Sequence, residues 1–104
     1  MIVNIRTYTL VPRQMTKYLK AFEEMALPIT RRHGMELMGY YTSVVGPQNQ
    51  VVHLWRYDSL ADMEAKRTAR DQDADWQRFQ AATEGLVLMQ EDKITRPSSF
   101  SPQD

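Results

Sequence analysis

Two short stretches carry the side chains that could do chemistry. In "QVVHLWRYDS" (50–59) His53, Trp55 and Tyr57 stand at alternate positions, and in "IVNIRTYTL" (2–10) Arg6 and Tyr8 do the same. An imidazole titrates near neutral pH, so His53 could exchange a proton with a bound molecule. Arg6 could hold a carboxylate or enolate oxygen through two parallel hydrogen bonds. These two are the candidate catalytic residues. Tyr8 and Tyr40 could donate hydrogen bonds to a ligand, and Trp55 would give a flat apolar wall. Each has a plainer role as well. His53 could be bonded to a cross-strand neighbour, and Arg6 could sit in an ion pair at a rim. The tyrosines and Trp55 could pack an interface.

Other residues point to chemistry less strongly. His33 follows Arg31 and Arg32 and precedes Gly34, an order that suits the last turn of a helix, where cations meet the negative end of the dipole. Trp76 and Phe79, three apart, read as a core or dimer anchor. "DQDAD" (71–75) mimics the start of a calcium loop, but Trp76 replaces the needed glycine and Ala82 stands where the bidentate glutamate belongs. With two histidines and no cysteine, no metal cluster is expected. There is no phosphate-binding glycine loop and no nucleophile-elbow serine, so no cofactor is called for. The 13 basic and 13 acidic residues cancel, which speaks against a nucleic-acid partner. The absence of cysteine suits a reducing cytoplasm. No apolar run reaches membrane-spanning length, and the first residues lack the apolar core of a signal peptide.

The elements that must position these residues follow from periodicity. Residues 2–10 are rich in β-branched and aromatic types and form a strand. Val11 and Pro12 mark a turn into a helix whose apolar stripe runs through Met15, Tyr18, Leu19, Phe22, Met25, Ala26 and Ile29. Pro28 should kink or break that helix. A second strand spans 35–45; its facing is ambiguous, with Met38, Tyr40 and Thr42 competing with Leu37, Gly39 and Tyr41 for the face that carries the site. "GPQNQ" (46–50) is a turn, and the third strand follows. Ser59 caps a helix running to about Arg70. After "DQDAD" a further helix carries Trp76, Phe79 and Ala82 and ends at Gly85. Residues 86–94 are the last strand. A single domain therefore covers 1–96, with a loose tail rich in Pro and Ser at 97–104.

The order β-α-β-β-α-β is that of an α+β, ferredoxin-like fold. Such a sheet is covered by its own helices on one face only. Side chains alternate along a strand, so Val52 and Leu54 share one face of the third strand and His53, Trp55 and Tyr57 the other. The aliphatic face is expected beneath the helices and the aromatic face on the uncovered side. A second copy placed face to face would cover it, enclosing an aromatic-lined cavity in a dimeric α/β barrel.

The chain resembles the NIPSNAP family of the dimeric α/β-barrel superfamily, across roughly 2–102. The segments that carry the likeness are "IRTYTL" (5–10), "LPITRRHG" (27–34), "GPQNQVVHLWRYDSLADMEAKR" (46–67), "DWQRF" (75–79) and "RPSSFSP" (96–102). In the family a glycine commonly follows the proline after the first strand; here Arg13 stands there. The resemblance implies a homodimer. By fold analogy it adds the chemistry of superfamily neighbours: cofactor-independent monooxygenases, lactone isomerases and haem enzymes. The expected function is binding of a small aromatic or carbonyl-bearing molecule in the barrel, with Arg6 holding an oxyanion and His53 moving a proton. The other expectation is a non-catalytic assembly module whose aromatic face serves only association.

Overall fold

Alternating β-branched and aromatic residues make β1 (Ile2–Leu10) and β3 (Gln50–Tyr57) the two most buried strands, and they pair antiparallel at the centre of the sheet. In the computed structural model, which describes residues 1–102, β2 (Glu36–Thr42) and β4 (Val87–Thr95) flank them, giving the order β2-β3-β1-β4. The helical layer consists of α1 (Met15–Ala21), a π-helical turn (Phe22–Ala26), α2 (Leu27–Arg32), α3 (Leu60–Asp71) and α4 (Ala74–Ala82). This is the ferredoxin-like order expected. Residues 96–102 form no strand or helix. The tail reading reaches residues 103–104, which lie outside the described residues.

Local chemistry explains the boundaries. The first helix starts at Met15 rather than at Pro12, because Arg13 holds a left-handed φ of 71° that no helix accepts. The backbone at Arg13 thus holds a conformation that favours glycine. Pro28 does not break the helix. It lacks the N–H that would bond the carbonyl of Glu24, and the π-turn just before it takes up the mismatch, with the Leu27 N–H reaching back to Phe22. Ser59 caps α3 by accepting from the Asp62 N–H at 3.1 Å, and Asp73 caps α4 through Asp75 N–H at 2.9 Å.

The facing of the sheet is the reverse of the expectation. His53, Trp55 and Tyr57 lie beneath the helices, each at most 4% exposed, while Val52 and Leu54 are half-buried on the open face. Phe22 of the π-turn packs against Trp55 at 6.3 Å and against His53 at 6.1 Å between ring centroids. Asn4, Arg6 and Tyr8 share that face, since Arg6 pairs with His53 across the ladder. The reason is area. A buried Trp or Tyr removes about 150–250 Å² from water, more than a Val or Leu, so the aromatic face gains more from a helical cover. The open face is left with Ile5, Thr7, Val52, Leu54 and Tyr41.

Strand β2 explains its own ambiguity. A bulge between Leu37 and Gly39 lets Leu37 oppose Trp55 and Tyr40 oppose His53. One residue beyond strict alternation puts both on the helix-facing side, so neither of the two period-two sets is correct along the whole strand.

Candidate functional site

His53 sits on the floor of a cleft between sheet and helices. The Trp55 Nε1–H donates to His53 Nδ1 at 2.6 Å, so Nδ1 is an acceptor and the neutral ring carries its proton on Nε2. That Nε2 is buried with no partner among the described residues. Tyr40 stacks on one side of the ring, 4.7 Å away and tilted only 17°, and Tyr8 meets it edge-on at 4.8 Å. Burial first, and the nearby Arg6 charge second, push the His53 pKa down to about 3. At neutral pH the residue is an uncharged donor, and its one ring lone pair is already taken by Trp55. It can give a hydrogen bond to a ligand oxygen but has no free nitrogen to accept a proton.

Arg6 lies beside it. Its Nε and Nη2 both donate to the Tyr8 hydroxyl, at 2.9 and 2.6 Å, and its Nη1 meets Asp92 of β4 at 3.1 Å. Burial works against the Arg6 charge, but Tyr8 and then Asp92 outweigh it and raise its pKa. Arg67 of α3 reaches the same group, bonding Asn4 and approaching Asp92 at 3.5 Å. Arg6 is therefore a partner in an ion pair and a cleft residue at once.

The cleft encloses about 300 Å³, at the small end for ligand sites. Arg6, Tyr8, His53 and Trp55 all line it, joined by Tyr57, Phe22 and Phe79. Tyr40 does not. It backs the His53 ring from the side of a neighbouring cleft that it shares with Phe22 and Leu37. Burial raises the Tyr40 pKa well above the ordinary tyrosine value. The sequence reading missed Arg67, Arg70 and Trp76, which also line the main cleft. A signal existed: Met63, Arg67 and Arg70 follow i, i+4, i+7 spacing, the stripe α3 turns toward the sheet.

Two motifs set aside from catalysis find structural work. His33 caps α2, and its Nε2 lies 2.8 Å from Asp73, which Arg32 also bonds at 2.5 Å. Arg32 and then His33 hold the Asp73 carboxyl well below the usual carboxylate range. The remaining acids of "DQDAD" are also in ion pairs, Asp71 with Arg70 and Asp75 with Arg78 and Arg32.

A four-stranded antiparallel sheet with helices on one face, enclosing a cleft within a single chain, defines a ferredoxin-like α+β protein with an internal candidate site. The family model described as NIPSNAP matches residues 3–102, and the chain belongs to that family. It is 36% identical over 94 residues to "Protein NipSnap homolog 3A" of Homo sapiens, covering 88% of this chain and 37% of that protein. The chain thus spans little more than a third of the length of that curated relative. The crystal structure of protein Atu4242 from Agrobacterium tumefaciens superposes with a TM-score of 0.94 at 37% identity, covering 98% of both chains. A putative antibiotic biosynthesis monooxygenase from Nitrosomonas europaea shares the fold alone, with a TM-score of 0.69 and 13% identity over 92% of this chain and 97% of that one. Among the described residues no helix is long and apolar enough to cross a membrane.

Proposed function

We propose that this protein binds a small aromatic or carbonyl-bearing molecule in the cleft between its sheet and its helices, as a cytoplasmic homodimer. The observation that carries the reading is His53, locked by Trp55 as an Nε2–H donor and left without a protein partner on the cleft wall. A buried unpaired donor is costly, and a ligand oxygen would satisfy it. With the Arg6 guanidinium beside it, that oxygen would be polarised toward an enolate or phenolate, electrostatic stabilisation of the kind that needs no cofactor. Among the described residues the cleft wall holds no carboxylate, so they supply no strong base. Molecules that ionise readily, phenols and enols, suit it best, and for these an isomerase or monooxygenase reaction is the chemistry proposed.

Association would use the opposite face of the sheet, where Ile5, Val52, Leu54 and Tyr41 present the apolar surface that a second copy would cover. Binding and assembly are then compatible, because they occupy different faces. The lack of cysteine supports a reducing compartment. Native mass spectrometry of freshly purified protein tests the binding. A retained small molecule that is lost in His53→Ala supports the reading. An adduct unaffected by His53→Ala, or none under any mild condition, contradicts it.

A further inference from the structure

Among the described residues three guanidinium groups line the cleft, those of Arg6, Arg67 and Arg70, and no carboxylate does. Their protein counter-ions lie outside the lining: Asp92 serves Arg6 and Arg67 together, and Asp71 serves Arg70. Three cations thus face two carboxylates, which leaves one unit of positive charge on the wall. The hydrogen-bonding balance leans the same way. Three cleft residues hold a buried N–H without a protein acceptor: His53 at Nε2, Arg67 at Nε and Trp76 at Nε1. All three are donors, since His53 Nδ1 is already bonded. The Arg70 guanidinium carbon lies 4.3 Å from the centre of the Trp76 ring, a cation–π contact.

We propose that the ligand of this cleft is a monoanionic aromatic carboxylate. Its ring lies among Phe22, Trp55 and Phe79, and its carboxylate meets Arg67 and Arg70 on the α3 side of the cleft. This rests on the binding reading above and narrows it to a substrate class. Burial of unpaired donors is costly, so the occupant supplies acceptors. Guanidinium groups recognise carboxylates through paired, in-plane hydrogen bonds. The single unit of excess charge matches one carboxylate better than an aryl phosphate, which carries a charge of about −1.5 to −2 at neutral pH. A volume of about 300 Å³ holds one ring with short substituents rather than a fused system.

Isothermal titration calorimetry on the unmodified protein tests this with benzoate, salicylate and benzoylformate, each beside its methyl ester, and with phenyl phosphate. At least one acid should bind ten-fold or more tightly than its ester. In Arg67→Gln and in Arg70→Gln that preference should fall to three-fold or less, with the acid losing more affinity than its ester. Arg67→Lys should keep part of it. Equal binding of acids and esters overturns the carboxylate assignment and leaves the cleft reading standing. Tighter binding of phenyl phosphate than of every acid also overturns the assignment. If no probe of either kind binds, the cleft reading fails with it.

Discussion

Replacing His53 by glutamine should change how stability depends on pH more than stability itself. Glutamine can accept from Trp55 and present an N–H as the neutral imidazole does, but it does not titrate. In the native protein burial and the Arg6 charge hold the His53 pKa at about 3, whereas in the unfolded chain it is about 6.5. Between these values the unfolded state binds more protons. The stabilisation is therefore complete above pH ~6.5 and is lost as pH falls toward 3, with a slope approaching ~1.4 kcal/mol per pH unit. Over the two units below pH ~6.5 the parent should lose roughly 2 kcal/mol through this one residue. The depressed carboxylates act lower down: Asp62 is held by the Asp58 N–H and then by Lys66, and Asp73 by Arg32 and then His33, so both matter only below about pH 4. His33 and all the acids are common to both proteins and cancel in the difference. Urea unfolding of parent and His53→Gln at several pH values reads the effect directly. The two curves should lie close together at neutral pH and separate on acidification, the parent falling below His53→Gln as pH drops under ~6.5. Parallel curves would mean that His53 is protonated in the fold like an ordinary histidine, which would refute its assignment as a buried neutral donor.

Three further outcomes follow from named contacts. Arg13→Gly should raise stability by about 0.5–1 kcal/mol, because a left-handed L-residue costs ~1–2 kcal/mol and glycine gives back part of that in chain entropy; a lower melting temperature would contradict the strain. Trp55→Phe leaves His53 Nδ1 a buried acceptor without its donor and should cost about 1–3 kcal/mol beyond the small change in volume, as read from denaturant midpoints. Leu54→Lys, on the open sheet face, should convert a particle of twice the 12.2 kDa chain mass into one of that mass by light scattering; an unchanged dimer would place the interface elsewhere.

Much of the fold was legible because periods and caps are local signals. Ser59, Gly85 and the alternation in 50–57 mark their elements without help from the rest of the chain. Which face of the sheet turns to the helices was not legible, because both faces of β1 and β3 carry apolar residues. Val3, Ile5, Val52 and Leu54 look like a core by type, and only the larger area of Tyr8, Trp55 and Tyr57 decides otherwise. The bulge at Leu37 and Gly39 hid the facing of Tyr40 for a related reason: a one-residue shift mixes two alternating sets. The cleft residues on β1 and β3 could be read because their positions alternate with apolar ones. Arg67 and Arg70 follow Met63 at helical spacing, but long arginine side chains on such a stripe fit a solvated helix face as well, so their signal is weaker than that of the strand residues. Pro28 misleads as a helix breaker because the π-turn that accommodates it has no sequence signature of its own.

The central claim is that His53 presents an Nε2–H to the cleft and that a ligand oxygen takes it. Long-range proton–nitrogen NMR on protein labelled with nitrogen-15 at histidine measures both parts, first alone and then with salicylate added. The ring should be neutral, protonated at Nε2 and bare at Nδ1, and unchanged down to about pH 4.5. Salicylate should move the Nε2 proton signal downfield while Nδ1 stays where it was. A ring protonated at Nδ1, an imidazolium at pH 6, or an Nε2 signal indifferent to a salicylate shown by calorimetry to be bound would contradict the claim.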